Sequence, residues 1–310
     1  NFSLNFLGSG DEYFKVIIVN WLLTLITFGI YYPWAKERQL KFLYSHATFS
    51  EDNFAFHGTG KEMFKGFIKA IAIILVLYGL FYALLYLQFP IAAILILYLG
   101  FLSLIPLIIH GSYRYRMSRS SWRGIRFGYR GGLKTLYLNC LKWLFFTIIT
   151  FGIYGPWFQV NLRTYLISNV RLGNMKFNFK GKGSDFFALN IIGYLLTVIT
   201  FGIYIFWWQK ELFDFFINNL EAKDESGSLK FRSTASGGGF FKLMITNILI
   251  LIFTFGLGYA WVVTRTLKFG AKHIQISGDV DLDNLQQSEE SYKDAMADDL
   301  GDLLNLDLII

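Results

Sequence analysis

The chain has 310 residues, of which 54% are hydrophobic and 16% are charged, and its formal net charge is +7. A soluble domain usually carries about 25% charged residues, so this composition argues against an ordinary soluble protein and favours a chain in contact with lipid. The one cysteine, Cys140, excludes an intrachain disulfide.

Six apolar blocks follow one another along the chain. Each approaches the roughly 20 residues that cross a hydrocarbon core. The blocks predict a polytopic α-helical membrane protein. They lie near residues 13–34, 67–87, 90–109, 136–157, 186–208 and 240–263.

A pattern of eight positions, T-F-G-(I/L)-x-x-x-W, occurs at 27–34, 150–157, 200–207 and 254–261. One spacing between copies is about twice the others, so a fifth, degenerate copy is expected between the first two. Such recurrence indicates a duplicated structural unit. The residues that define the repeat are Gly29, Trp34, Gly152, Trp157, Gly202, Trp207, Gly256 and Trp261.

Alternating aromatic segments that run into glycines, such as 54–60 and 177–183, precede the apolar blocks. They read as β-strands followed by glycine hinges, and short polar turns upstream predict β-hairpins. One unit is then a strand, an apolar helix, the TFG break and a shorter polar helix, with β-hairpins joining the units outside the bilayer. About five repeats are predicted, at 1–53, 54–124 (degenerate, with two long apolar helices), 125–176, 177–228 and 229–282, followed by an acidic C-terminal tail at 283–310.

The blocks allow two topologies. Six straight spans would place the long loops on alternate sides, with a weak excess of Lys and Arg on one side. Hairpins that enter and return at each TFG break would place all flanking basic residues on one side, as the positive-inside rule favours. The short polar helix becomes charged soon after the break, so a re-entrant hairpin of partial depth reconciles both observations.

The segments F-x-F-x-G-x-G, Thr-Phe-Gly-Ile-Tyr-Tyr-Pro-Trp and Trp122-Arg-Gly-Ile-Arg-Phe127 resemble the YjgN-like family of bacterial inner-membrane proteins, a family of unknown function. The resemblance covers nearly the whole chain. It implies a multi-pass protein of the inner membrane, with most loops cytoplasmic, and it supplies no reaction or catalytic residue. It also suggests a membrane metallopeptidase as a partner.

The polar residues after the breaks are the candidate functional residues. Charges close to the hydrocarbon are costly, which would suit a wet pathway. A short helix lying at the headgroups, with its charges in water or on lipid phosphate, explains them equally simply. The candidate pathway-lining residues are Glu37, Arg38, Arg163, Glu211, Asp214, Arg265 and Lys268.

The densest basic segment lies beside the third apolar block and is predicted to contact anionic lipid headgroups through Arg114, Arg116, Arg119 and Arg123. Its position beside a membrane helix argues against nucleic acid as the partner. Residues 279–310 carry ten acids and one lysine. This tail either folds back on the basic loops, engages a basic partner or remains solvated.

Two functions remain open. The first is a channel or transporter for a small ion or solute, since helices broken at glycine often carry binding sites in transporters. The alternative is a membrane scaffold or accessory subunit with a cytoplasmic β-hairpin platform. No nucleophile, base and orienting group recur at recognisable spacing, so no enzyme, cofactor or metal is expected, whereas a homo-oligomer is allowed.

Overall fold

The computed structural model describes residues 2–287, which form a sheet of ten strands and ten α-helices. A strand precedes and follows each pair of helices. In chain order the elements are β1 (Leu4–Phe6), α1 (Gly10–Ile26), α2 (Tyr32–Ser45), β2 (Ala47–Phe49), β3 (Asp52–Phe56), α3 (Gly60–Tyr86), α4 (Pro90–Ser118), β4 (Ser120–Trp122), β5 (Ile125–Tyr129), α5 (Leu133–Ile149), α6 (Gly155–Ser168), β6 (Val170–Leu172), β7 (Met175–Phe179), α7 (Gly183–Ile199), α8 (Ile205–Asn218), β8 (Leu220–Lys223), β9 (Ser228–Ser233), α9 (Gly237–Phe253), α10 (Tyr259–Lys272) and β10 (Ile274–Gly278).

The ten strands form one antiparallel sheet in which each strand pairs with its neighbours in the chain. The first and last strands also meet, because the Phe2 amide donates to the Ile276 carbonyl at 2.8 Å. The sheet is therefore a nearly closed ring, which we call the sheet ring. Closure leaves little unpaired strand edge exposed.

Antiparallel order places the helices and the tight turns at opposite edges of the sheet ring. Each helix pair joins the same edge, which we call the helix edge, and the β-hairpin turns lie at the other, the turn edge. In two of these turns both central residues have positive φ, namely Ser50 and Glu51, and Arg123 and Gly124. That backbone suits the twist of two-residue hairpins.

The inside of the sheet ring is an apolar core. The buried side chains at its centre include Trp122, Met175 and Leu229, each no more than 2% exposed. Alternate positions on the strands point outward and are mostly polar, as a sheet with one buried face requires. Partly buried hydrophobic residues pack against this core, one from each odd-numbered strand, namely Leu4, Phe54, Phe127, Phe177 and Phe231.

The residues after β10 cover this core at the turn edge. Val280, Leu282 and Leu285 are buried in it. The backbone amide of Asp281 bonds Ser226, and that of Gln286 bonds Asn174, so the segment is attached to two β-hairpin turns. We call residues 279–287 the closing segment.

The helices form a second ring above the sheet, since each packs against its chain neighbours and α10 packs against α1. Adjacent helix pairs meet at five places, which we call the seams. One contact recurs at four seams: the motif tryptophan of one pair packs against the glycine that begins the first helix of the next pair. The seams are Trp34 on Gly60, Trp157 on Gly183, Trp207 on Gly237 and, closing the ring, Trp261 on Gly10. A Cβ atom on any of these glycines would lie 2.2 to 2.6 Å from the indole.

The expectation of a polytopic α-helical membrane protein is wrong. Among residues 2–287, two helices, α3 and α4, are long and apolar enough to cross a membrane. The error has a physical origin: the block at 13–34 contains α1, a turn and the start of α2, so its apolar length is not that of one helix. The strands, moreover, join one ring instead of separate hairpins. The repeat boundaries stay a prediction.

Candidate membrane-contact site

The TFG motif forms the turn of a helical hairpin. After α1 the Phe28 amide donates to the Leu25 carbonyl at 3.1 Å and the Gly29 amide to the Thr24 carbonyl at 2.8 Å. These two bonds, with Phe28 at φ +49°, form a Schellman motif, the usual way of satisfying the last carbonyls of a helix. Thr27 joins the two helices, because its hydroxyl donates to the Leu23 carbonyl and accepts from the Tyr31 amide.

The same turn follows α5, α7 and α9. The phenylalanine has φ of 50° to 51° and the next glycine 86° to 91°. In most Schellman motifs glycine occupies the first left-handed position, because a side chain there costs about 1–2 kcal/mol. Here that position carries the most exposed large side chain of its hairpin: Phe28, Phe151 and Phe201 are each 97% exposed and Phe255 is 95% exposed.

Each of these tips is an apolar patch. Around Phe201, for example, Val198, Ile199 and Ile203 are each 59–69% exposed. Soluble proteins rarely expose apolar surface of this kind, and four copies at one end of the molecule mark a contact with an apolar phase. The sequence identified the motif but not the orientation of its phenylalanine, because only the turn geometry shows which residue projects outward.

The fifth hairpin, α3–α4, has the same hydrogen bonds at its turn but one left-handed residue instead of two, since Phe89 has φ −108°. The Gln88 amide donates to the Leu85 carbonyl at 3.0 Å, the Phe89 amide donates to the Leu84 carbonyl at 2.9 Å, and Gln88 has φ +63°. Gln88 thus takes the place that phenylalanine takes elsewhere, and Pro90 starts α4. The predicted degenerate copy of the break has an amide at the first left-handed position, while Tyr86 and Phe89 beside it are 88% and 60% exposed.

Helix length separates the two classes of hairpin. α1, α5, α7 and α9 have 17 residues each and α3 has 27. At about 1.5 Å per residue these helices are about 25 Å and about 40 Å long. The tip of the α3–α4 hairpin at Gln88 therefore lies about 15 Å further from the helix edge than the four phenylalanine tips.

The predicted pathway-lining residues make local contacts on four different helices. Glu37 pairs with Lys41 and accepts from the Gly60 amide, so it caps the start of α3. Arg163 stacks on the Phe216 ring, 3.9 Å from its centroid. The structure does not bring the set together at one point, and its role in transport stays a prediction.

The remaining members of that set lie on α2, α8 and α10. Lys210 pairs with Asp214 at 2.8 Å and with Glu211 at 3.1 Å, all on α8. Arg38 lies 5.7 Å from the centroid of the Tyr31 ring. Arg265 and Lys268 are exposed on α10.

The four arginines predicted to contact headgroups lie at two levels. Arg114 and Arg116 are on the last turns of α4, and Arg119 follows this helix and pairs with Glu62 at 3.1 Å. Arg123 lies at the turn edge, where it contacts Asp52 and Asp283 and stacks on Trp122. Headgroup contact by these residues stays a prediction, and for Arg123 it would require lipid at the edge of the sheet opposite the helices.

Sequence reasoning missed a basic surface on the outside of the sheet ring. Arg171 lies opposite Lys176, which lies opposite Lys223 on the next strand. Like charges directly opposite each other destabilise a sheet, so this row is not explained by folding alone. We call the outward basic residues of five adjacent strands the basic belt: Arg126, Arg171, Lys176, Lys223, Lys230 and Arg232.

One acid, Glu221, lies within the basic belt. It is 5% exposed and pairs with Lys180 at 2.6 Å and Lys223 at 3.3 Å. Burial raises the pKa of Glu221, but the hydrogen bonds from these lysines outweigh burial and leave its pKa below the usual value. Glu221 therefore stays ionised and offsets part of the belt's charge.

Two further sequence expectations concern ligands and the tail. Among residues 2–287 no three His, Cys, Asp or Glu side chains are grouped closely enough to hold a metal ion. Residues 288–310, most of the acidic tail, lie outside the described residues. Within the described part, Asp283 pairs with Arg123 at 2.8 Å.

Three relatives are similar to parts of the chain. Inner membrane protein YjgN of Salmonella typhimurium is 30% identical over 135 residues, or 43% of this chain and 33% of that protein. The protein of the same name from Escherichia coli O157:H7 is 29% identical over 132 residues, covering 43% and 32%. That of Escherichia coli K12 is 40% identical over 62 residues, covering 20% and 16%.

These alignments span a third or less of the relatives' own lengths. No solved structure matches the chain. A family profile described as "Bacterial protein of unknown function (DUF898)" matches residues 1–180, 174–226 and 209–303, which is nearly the whole chain. The chain therefore belongs to this family, and together with the YjgN relatives this match confirms the predicted resemblance.

Proposed function

We propose that the chain is a non-enzymatic scaffold of the bacterial inner membrane, in which α3 and α4 cross the bilayer and the sheet ring is a cytoplasmic platform. The relatives' names support the location. The exposed apolar surface of α3 supports the crossing, since its buried residues, Gly60, Met63 and Gly66, all lie in its first two turns.

Charge supports the orientation. Lys61, Lys65 and Lys69 at the start of α3, and Arg114 and Arg116 at the end of α4, lie towards the sheet ring, whereas the turn at 88–90 is uncharged. Basic residues flanking a span are retained in the cytoplasm. The sheet ring is then cytoplasmic and Gln88 faces the periplasm.

The observation that carries the scaffold function is the filled sheet ring. Its interior is occupied by packed apolar side chains, and the closing segment covers it. A solute moving along the ring axis would have to displace this core, which favours a platform over a conduit. Transport, the other function that the sequence left open, stays a prediction.

The basic belt gives the platform a partner of stated chemistry, an acidic protein surface. Its row of like charges would be stabilised by acidic side chains, and complementary charge directs association as well as stabilising it. The neutral half of the sheet ring offers a matched comparison: Asn5 lies opposite Thr48, which lies opposite Asn53. A membrane metallopeptidase and a second copy of this chain, the partners that the sequence analysis allowed, also remain proposals.

The test is photo-crosslinking in intact bacteria, with the photoreactive residue at Lys176 or Lys223 and, as controls, at Asn5 or Asn53. We expect one discrete adduct from the belt positions that is lost when the other belt lysines are changed to Glu and membrane integration is unaltered. Adducts that are equal at all four positions would contradict the platform.

Transport is tested separately. Purified protein in vesicles is compared with the Arg38→Ala and Glu211→Ala variants for the flux of small ions. We expect no flux above that of empty vesicles. Flux that both variants abolish would overturn the scaffold function in favour of transport.

A further inference from the structure

We propose that the four short hairpins insert from one side into the bilayer and end near its middle, with Phe28, Phe151, Phe201 and Phe255 in contact with phospholipid acyl chains. The protein is then a ring-shaped wedge in one leaflet, and one member of the ring, the α3–α4 hairpin, crosses the bilayer. This inference rests on the proposed membrane anchoring and adds the depth and the contact residues of the other eight helices.

The residues at the hairpin tips support partial insertion. All five hairpins have the same hydrogen bonds at the turn, yet the four short ones carry phenylalanine at the exposed left-handed position and the long one carries Gln88. An exposed phenylalanine is stable in hydrocarbon, whereas an amide needs water or another partner. The residue at the tip thus changes with the distance of the tip from the helix edge.

The lengths of the apolar segments in the helices also support partial insertion. In α3 the last charged residue is Lys69, and the apolar segment 70–87 that follows is about 27 Å long, which matches a hydrocarbon core of about 30 Å. In α1 the last charge is Lys15, and 16–26 is about 16 Å long. In α9 the last charge is Lys242, and 243–253 has the same length. In α5 the last charge is Lys142 and in α7 it is Asp185, so the apolar segments 143–149 and 186–199 are about 10 Å and about 21 Å long. The short hairpins therefore reach between about a third and about two thirds of the hydrocarbon core.

Backbone strain at the four tip phenylalanines points to the same contact with lipid. Four phenylalanines keep a backbone conformation that favours glycine, and a glycine stands next to each of them in the chain. Their side chains are almost fully exposed, so packing within the protein does not offset this cost. Contact with acyl chains supplies the missing stabilisation, because burying a phenylalanine contributes about 1.5–3 kcal/mol.

Depth can be measured with an environment-sensitive fluorophore on single cysteines. In the full chain with Cys140→Ala, cysteine replaces one tip phenylalanine at a time, or Gln88, or Glu225 at the β8–β9 turn. Ile203→Cys is a second probe of the third tip, in case Phe201→Cys does not fold. Each protein is placed in vesicles of phosphatidylethanolamine and phosphatidylglycerol that carry a spin label near the headgroup or deep in the acyl chain, with iodide as the aqueous quencher.

We expect the four tips and Ile203 to be quenched most by the deep spin label and not by iodide. Glu225 should be quenched by iodide alone. Gln88 should be quenched by the headgroup label and by iodide added to the far side. Tips that iodide quenches would overturn the inference. If the deep spin label quenched position 88 as well as the four tips, α3–α4 would not cross the bilayer, and the proposed anchoring would be wrong. The partial insertion of the short hairpins would still stand.

Discussion

The long hairpin α3–α4 and the four short hairpins share the hydrogen bonds of one turn and differ in length, tip residue and adjoining seam. All five breaks have the hydrogen bonds of a Schellman motif, whether the first left-handed residue is Phe201 or Gln88. The seam after the long hairpin is the one at which α5 begins with Leu133 in place of glycine. Turn and sheet thus fix the architecture that the five hairpins share, while length and tip residue distinguish α3–α4 from the other four.

A charge at the two kinds of tip should give the largest difference. Phe201→Asp would place a carboxylate in the hydrocarbon, at a cost of about 2.5–3.5 kcal/mol near the centre of a bilayer. Gln88→Asp should cost much less, because that tip reaches the far interface. We would measure the melting temperature of each variant in lipid nanodiscs and in detergent.

The melting temperature of Phe201→Asp should fall in nanodiscs and change little in detergent, where its exposed side chain has no protein contact to lose. Gln88→Asp is the matched control, with the same substituted residue in the same turn. If the melting temperatures of Phe201→Asp and Gln88→Asp fell equally in nanodiscs, the two classes of hairpin would not differ in depth.

The second prediction concerns the seams. A Cβ atom on Gly237 would lie 2.3 Å from the Trp207 indole, whereas one on Gly238 would have no atom within 4 Å. Gly237→Ala should therefore destabilise the protein by about 1–3 kcal/mol, as overpacking usually does. Gly238→Ala, one residue later in the same helix, should be neutral or stabilising by up to about 1 kcal/mol.

Thermal unfolding in detergent measures both changes. The seam after the long hairpin provides a further control. Leu133 already occupies the position that glycine has at the other seams, so Leu133→Ala adds no atom against a tryptophan. If Gly237→Ala were as stable as Gly238→Ala, the indole would have moved aside at no cost, and the Trp–Gly contact would not be what holds adjacent hairpins together.

Local features of this fold could be predicted from sequence and long-range ones could not. Strands such as Ala47–Phe49 and the turn at Gly29 follow from alternation and from glycine chemistry, both of which act over a few residues. The contact of Trp261 with Gly10 closes the ring across about 250 residues, and no periodicity encodes it. Hydropathy alone also could not separate two helices joined by an apolar turn from one long helix, so the apolar blocks left six straight spans and returning hairpins both open.

The candidate site was partly predictable for the same reason. The repeated TFG motif marked the four turns, but the exposure of Phe28 depends on a left-handed backbone that only the structure gives. The basic belt was invisible because its rows, such as Arg171, Lys176 and Lys223, are assembled by pairing between strands that helices separate in the chain.

The smallest expected effect tests whether the two classes of turn are equivalent. Phe201→Gly and Gln88→Gly each remove a side chain from a left-handed residue and should each stabilise the protein in detergent by about 1 kcal/mol, since the strain that is relieved is the same. Gly202→Ala, at φ +91°, is the opposite control and should destabilise. In lipid vesicles the two glycine variants should diverge, because Phe201→Gly also loses its acyl-chain contact while Gln88→Gly does not. A gain at Phe201 that is as large in vesicles as in detergent would mean that the phenylalanine tip gains nothing from lipid.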